Sequence, residues 1–125
     1  MEINHGPTVL VVDDDVAFQE VLQYWGSMSG VKIISALTTD EGLENFEESR
    51  PNVIAMDGQI PGSVDSLELV RMMRARGFDD HIIAISSYSE VRKKFMAGGS
   101  KEGCDLECEK ANLTSMLENV LDLHL

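Results

Sequence analysis

Cysteine, histidine, positive charge and long apolar runs are all scarce in this 125-residue sequence. The two cysteines, Cys104 and Cys108, are too few for a disulfide framework. If they lie on one strand, four residues apart, about 13 Å separates them, whereas a disulfide needs Cα atoms within about 7 Å. They read as small buried hydrophobes in a reducing compartment. His5, His81 and His124 are scattered and suggest no zinc site. Ten basic residues face 22 acidic ones, for a net charge of -12. That balance argues against nucleic acid as the main ligand, because phosphate backbones are held by clustered Lys and Arg. The run Arg92-Lys93-Lys94 reads as a solvated helix face, open to an acidic partner. Residues 1–6 lack the apolar segment of a secretory signal, and no apolar run nears membrane-spanning length. The expected location is the cytoplasm, without membrane insertion.

What is present is enough for one domain with a real core, and 43% of the residues are hydrophobic. The informative stretch is 51–62, PNVIAMDGQIPG. Residues 53–56 form a continuous apolar, β-branched run, the pattern of a strand buried on both faces. The run stops at Asp57, and Gly58, Pro61 and Gly62 supply loop chemistry. Open α/β sheets bind ligands outside such strand ends.

The same alternation runs through the whole chain. Strands are expected at 8–12, 31–34, 53–56, 82–85 and, weakly, 105–109. Between them lie helical stripes: Phe18, Val21, Leu22 and Trp25; Leu43 and Phe46; Leu69, Val70 and Met73; a helix reaching about Met96; and Leu113, Met116, Leu117, Val120 and Leu121. Thr38 with Glu41, and Ser87 with Glu90, match capping boxes, while Asp15 and Asn112 suit N-caps. Five strand–helix repeats imply an α/β fold, a doubly wound five-stranded parallel sheet with helices on both faces. No linker or internal repeat marks a second domain, so 1–125 is expected to be one domain with a core at about 8–123.

In a parallel sheet the strand C-termini share one edge. Asp13 and Asp14 follow strand one, Asp57 ends strand three, Ser86 follows strand four and Lys110 follows strand five. Three converging carboxylates repel one another, and a hard divalent cation removes the conflict. A hydroxyl and an ammonium across the site suit a tetrahedral anion. The spacing suggests metal-assisted phosphoryl chemistry with an aspartate able to act as nucleophile.

VLVVDDD, VIAMDGQIPG, IIAISS and the Lys110 region together resemble the receiver domain of bacterial two-component response regulators, of the stand-alone, chemotaxis-regulator-like kind. The resemblance covers nearly the whole chain. It implies a flavodoxin-like strand order 2-1-3-4-5 and phosphorylation of Asp57 by a sensor histidine kinase or a histidine phosphotransfer protein. It further implies Mg2+, with Mn2+ as a substitute, held directly by Asp14, Asp57 and the backbone carbonyl of Gln59, and by Asp13 through water. Ser86 would reach a phosphoryl oxygen, and Lys110 would pair with the phosphoryl group. The consequence would be altered binding of a downstream protein target, with no enzymatic activity beyond gaining and losing its own phosphoryl group. No DNA-binding or catalytic output domain is expected within the sequence, whether the receiver stands alone or is excised from a larger protein.

Several positions depart from the family pattern. Ala111 stands where a proline, often cis, usually follows the lysine; a non-proline cis bond costs about 3 kcal/mol, which favours trans here. Glu107 replaces the aromatic switch residue of strand five, so Glu107 is expected to stay solvated while the signal leaves through the loop after Ser86 and the next helix. The loop after Gly62 carries an extra residue, Ser66 replaces a glycine, and the segment near Gly98 is lengthened. Three alternatives compete: a degenerate receiver that binds partners unphosphorylated, a haloacid-dehalogenase-type phosphatase using Asp13, and, weakest, a flavodoxin. The phosphatase pattern wants Thr or Val at position 17, where Ala17 stands, and its late acidic motifs are missing. The acidic loop after strand one would repel a flavin phosphate.

Overall fold

The structure is a computed structural model and describes residues 6–123, so His5 and His124 lie outside it. Strands β1 (Thr8–Val12), β2 (Lys32–Ala36), β3 (Val53–Asp57), β4 (Ile82–Ile85) and β5 (Leu106–Cys108) form one sheet in the order β2-β1-β3-β4-β5. Every neighbouring pair is parallel. Helices α1 (Val16–Ser29), α2 (Thr39–Ser49), α3 (Ser66–Ala75), α4 (Ser89–Met96), the short α5 (Gly99–Glu102) and α6 (Leu113–Val120) connect and close it. The doubly wound sheet and its expected strand order are both found.

The core has two halves because strand side chains alternate between faces. Leu10, Val12, Ile54, Met56, Ile82 and Ala84 pack on one side with Leu69, Val70 and Met73 of α3 and Phe95 of α4. Val9, Val11, Val53, Ala55, Ile83 and Ile85 pack on the other with Leu22 of α1 and Leu113 and Leu117 of α6. Cys104 belongs to the first half and Cys108 to the second, so the sheet itself separates two free thiols. Burial pushes the Cys104 thiol up to about 12, which makes it unreactive.

Helix ends follow local chemistry, with corrections. Asp15 caps α1, its Oδ1 accepting from Phe18 N–H at 3.1 Å, as expected. Thr38 Oγ1 accepts from Glu41 N–H at 3.1 Å, and Glu41 Oε1 accepts in return from Leu37 N–H at 3.0 Å. The Ser87–Glu90 box does not form. Ser86 Oγ takes the Tyr88 N–H at 3.1 Å instead, and α4 starts at Ser89 without a side-chain cap. Asn112 precedes α6 but makes no capping bond, because residues 110–112 form a 3-10 turn that leads into the helix. Val21 is 61% exposed rather than part of the buried stripe; Gln19 and Gly26 are buried with Leu22 in its stead. The segment near Gly98 forms α5, entered through Gly98 at φ 85°. Strand β5 is shorter than expected, three residues long. No described helix is long and apolar enough to cross a membrane.

Candidate functional site

Strand register sets the site. Val12 pairs with Met56, so Asp13 and Asp57, each one residue further on, emerge side by side at the C-terminal edge. Asp57 pairs with Ile85, which puts Ser86 one step beyond it, and Ile85 pairs with Cys108, two residues before Lys110. Carboxylate oxygens of Asp13, Asp14 and Asp57 all lie within 4.8 Å of one another. Asp13 and Asp57 are buried, while Asp14 faces solvent.

Each group is held by backbone or by charge. Asp13 Oδ1 accepts from Asp15 N–H at 3.0 Å, and its Oδ2 lies 2.8 Å from the Lys110 ammonium. Asp57 Oδ1 accepts from Gly58 N–H at 2.9 Å, and its Oδ2 is 3.8 Å from Lys110 Nζ. Lys110 also sits 5.3 Å above the Phe18 ring, so its stem and charge are fixed from α1 as well. The Lys110–Ala111 bond is trans, since no described peptide bond is cis. Burial, and then the neighbouring Asp13 carboxylate, push the Asp57 carboxyl up to about 6, against the pull of Lys110 and Gly58 N–H. Burial alone would lower the Lys110 pKa, but its bond to Asp13 and the charge of Asp57 raise it.

This donor set suits a hard divalent cation: three hard oxygen donors converge, one ammonium offsets part of their charge, and one carboxyl is strained upward in pKa. Gln59 lies two residues past Asp57 in the following loop, its side chain exposed. Ser86 is buried, with its hydroxyl engaged by Tyr88 N–H. Asp13, fully buried and capped by both Asp15 N–H and Lys110, is badly presented for the nucleophilic role that a phosphatase would require.

Three supporting residues escaped sequence reasoning. Gln19 Nε2 donates to the carbonyls of Val11 and Asp13 at 2.8 and 3.0 Å, tying α1 to the end of β1. Phe18 carries Lys110, although hydropathy marked it only as core. Arg92 contacts Ser86 and Glu107, where the charge run signalled no more than a solvated face. Glu107 is exposed as expected, yet it is ion-paired with Arg92 at 3.0 Å rather than free.

The response regulator receiver domain family model matches residues 9–117. The transcriptional regulatory protein PrrA of Mycobacterium leprae is 32% identical over 99 residues, covering 79% of this chain and 41% of the relative. The alkaline phosphatase synthesis transcriptional regulatory protein PhoP of Bacillus subtilis is 29% identical, covering 78% of this chain and 39% of the relative. This chain thus spans about two-fifths of the length of these relatives. A CheY-like receiver domain protein from Methanospirillum hungatei superposes with a TM-score of 0.79 at 22% identity, covering 94% of both chains. That likeness concerns the fold, and the family model concerns nearly the whole sequence. The chain belongs to the response regulator receiver domain family.

Proposed function

We propose that Asp57 accepts a phosphoryl group from a phosphohistidine on a sensor kinase or a histidine phosphotransfer protein, and that this changes the surface offered to a downstream protein. A receiver domain is a signalling module rather than an enzyme, and gain and loss of this group is the chemistry assigned to it. The observation that carries the reading is the position of Asp57 at the end of the central strand, with two carboxylates and a lysine converging on it.

In this reading Asp14, Asp57 and the Gln59 carbonyl would hold Mg2+ directly and Asp13 would hold it through water. The ion would neutralise the carboxylates and the transferring phosphoryl oxygens. An Asp57 carboxylate oxygen attacks phosphorus in line, forming an O–P bond as the N–P bond to histidine breaks. The departing imidazole nitrogen keeps the electron pair, and the ring leaves neutral because its other nitrogen carries a proton. Lys110 meets the negative charge that arrives on the phosphoryl oxygens. Ser86 Oγ donates its own proton in a hydrogen bond to a phosphoryl oxygen. Cytoplasmic residence fits a phosphodonor of this kind.

Incubation with acetyl phosphate or candidate kinases in Mg2+ tests the proposal. One acid-stable, base-labile phosphoryl group should appear, and Asp57→Asn should block it. Label on Asp13 would point to the phosphatase alternative, and no label from any donor would point to the degenerate receiver.

A further inference from the structure

Ser86 donates its backbone N–H to the Cys108 carbonyl of β5 at 3.4 Å, and two further contacts lead to α4. Its Oγ accepts from Tyr88 N–H at 3.1 Å, in the turn that opens the helix. Its carbonyl accepts from Arg92 Nη1 at 2.5 Å. The same guanidinium donates from Nε to Glu107 Oε1 on β5, at 3.0 Å. Arg92 is well sheltered, with a side chain 15% exposed, whereas that of Glu107 is 40% exposed. One planar fork is therefore shared between the backbone of a site residue and a surface carboxylate on the neighbouring strand. A guanidinium is rigid, so its two bonds cannot adjust independently. If the Ser86 carbonyl moves relative to β5, one bond must lengthen.

We infer that Arg92 is a positioning residue for Ser86, and that its ion pair with Glu107 transmits the state of Ser86 to β5. The inference rests on the phosphoryl reading of Asp57. Drawing Ser86 Oγ toward a phosphoryl oxygen pulls the residue toward Asp57 and displaces its carbonyl, and the hydroxyl can donate there while still accepting from Tyr88 N–H. The bond from Arg92 to this sheltered carbonyl is the stronger of the two contacts, because a desolvated backbone acceptor left unpaired is penalised. The pair with half-exposed Glu107 is the weaker, because water replaces either partner readily. The fork therefore follows Ser86 and releases Glu107. Glu107 cannot turn inward in place of an aromatic ring, since a lone carboxylate is not buried in an apolar gap. Its part is to become a free negative charge on the surface between α4 and β5, where a protein target can read it.

Backbone amide shifts with and without beryllofluoride and Mg2+, a mimic of phospho-aspartate, test this. In the wild type, shifts are expected at Asp57, through 86–96, and at Leu106; Cys108, bonded directly to Ser86 N–H, serves as an internal control that responds with Ser86. Arg92→Met should keep the Asp57 and Cys108 responses while that of Leu106 falls to less than half. Glu107→Ala leaves Arg92 and the site in place, so it should keep the responses at Asp57, 86–96 and Cys108 and lose that of Leu106. This second variant decides the matter if the first folds poorly. A full Leu106 response in Glu107→Ala, or a wild-type response at Asp57 that never reaches Leu106, would overturn the coupling alone. No wild-type response at Asp57 would overturn the phosphoryl reading and the coupling together.

Discussion

The Lys110 ammonium lies 2.8 Å from Asp13 Oδ2 but 3.8 Å from Asp57 Oδ2. The lysine is thus engaged mainly by the fully buried Asp13. Removing one partner of a buried pair leaves an uncompensated charge, at a cost of about 3 kcal/mol. Lys110→Met should therefore destabilise the metal-free protein by about that amount. Mg2+ offers the carboxylates another counter-charge, so saturating Mg2+ should recover most of the loss. Urea melts with EDTA or Mg2+ measure both numbers. An equal penalty in the two buffers would mean that Asp13 does not share its charge with a bound cation.

Asp57 gives a pH dependence of unusual sign. Its folded pKa of about 6 stands above the ordinary value of 3.8, so between those pH values the folded state binds more protons than the unfolded one. Stability of the metal-free protein then falls as pH rises through that window. Two pKa units correspond to at most about 3 kcal/mol, and solvent at the rim of the site reduces this to roughly 1–2 kcal/mol. In EDTA, Asp57→Asn should match the wild type near pH 4 and exceed its stability by that amount at pH 7. Mg2+ should cancel the advantage. An Asn variant less stable than wild type at pH 7 in EDTA would contradict the strained carboxylate.

A second polar network closes the opposite edge of the sheet. Arg74 of α3, its side chain 2% exposed, donates to the carbonyls of Gly103, Phe78 and Asp80 at 2.9, 2.9 and 2.6 Å. It also donates to Asp105 Oδ1 at 3.2 Å. Asp105 in turn bonds His81 Nδ1 at 2.6 Å and accepts from Ile82 N–H at 2.8 Å. Burial pushes the Asp105 carboxyl up, but the bonds from His81 and Ile82 outweigh it and leave it below the ordinary range. Its contribution is complete above about pH 4, the unfolded value, and is lost as pH falls through the lower folded value. Arg74→Met should cost about 3–5 kcal/mol. Arg74→Lys should restore little, because an ammonium cannot reach four acceptors in one plane. Asp105→Asn should flatten the acid side of the pH–stability curve. A mild effect of Arg74→Met would show that the network does not anchor α3 to the sheet.

Much of the fold could be read because β1, β3 and β4 are largely apolar runs that each end at an abrupt change of chemistry, as Met56 to Asp57 does. The acidic group was legible for the same reason: parallel strands put their ends on one edge. What escaped depends on contacts between distant segments. Gly26 is buried because a Cβ there would meet Val31 O at 2.6 Å and Ile33 Cγ1 at 2.7 Å, a close approach of α1 to β2 that no hydropathy pattern encodes. Arg74 is buried because three of its acceptors are backbone carbonyls, which every sequence possesses. The Ser87–Glu90 box failed because the hydroxyl one residue earlier competed for the turn. Arg92 looked like one of three solvated charges, and only the α4–β5 packing distinguishes it from Lys93 and Lys94.

Gly58 joins the proposed phosphoacceptor to α4 by packing alone. A Cβ on Gly58 would stand 2.2 Å from Val91 Cγ1, far inside van der Waals contact. Val91 is β-branched and half-buried, so it has little rotamer freedom with which to yield. Gly58→Ala must therefore push the start of α4 outward or draw the Asp57–Gly58 segment away from it, at about 1–3 kcal/mol. Val91→Ala removes the obstructing methyl and opens the space that the new Cβ needs. The two changes should compensate, giving a coupling energy of at least about 1 kcal/mol in a double-mutant cycle. Arg92 follows Val91 directly, so the single Gly58→Ala variant should also disturb the amides of Arg92 and Glu107 without beryllofluoride, and the double variant should restore them. Urea melts of the four proteins give the coupling, and their amide spectra give the displacement. Strictly additive stabilities, with α4 amides unmoved in Gly58→Ala, would show that the loop after Asp57 and α4 are mechanically independent.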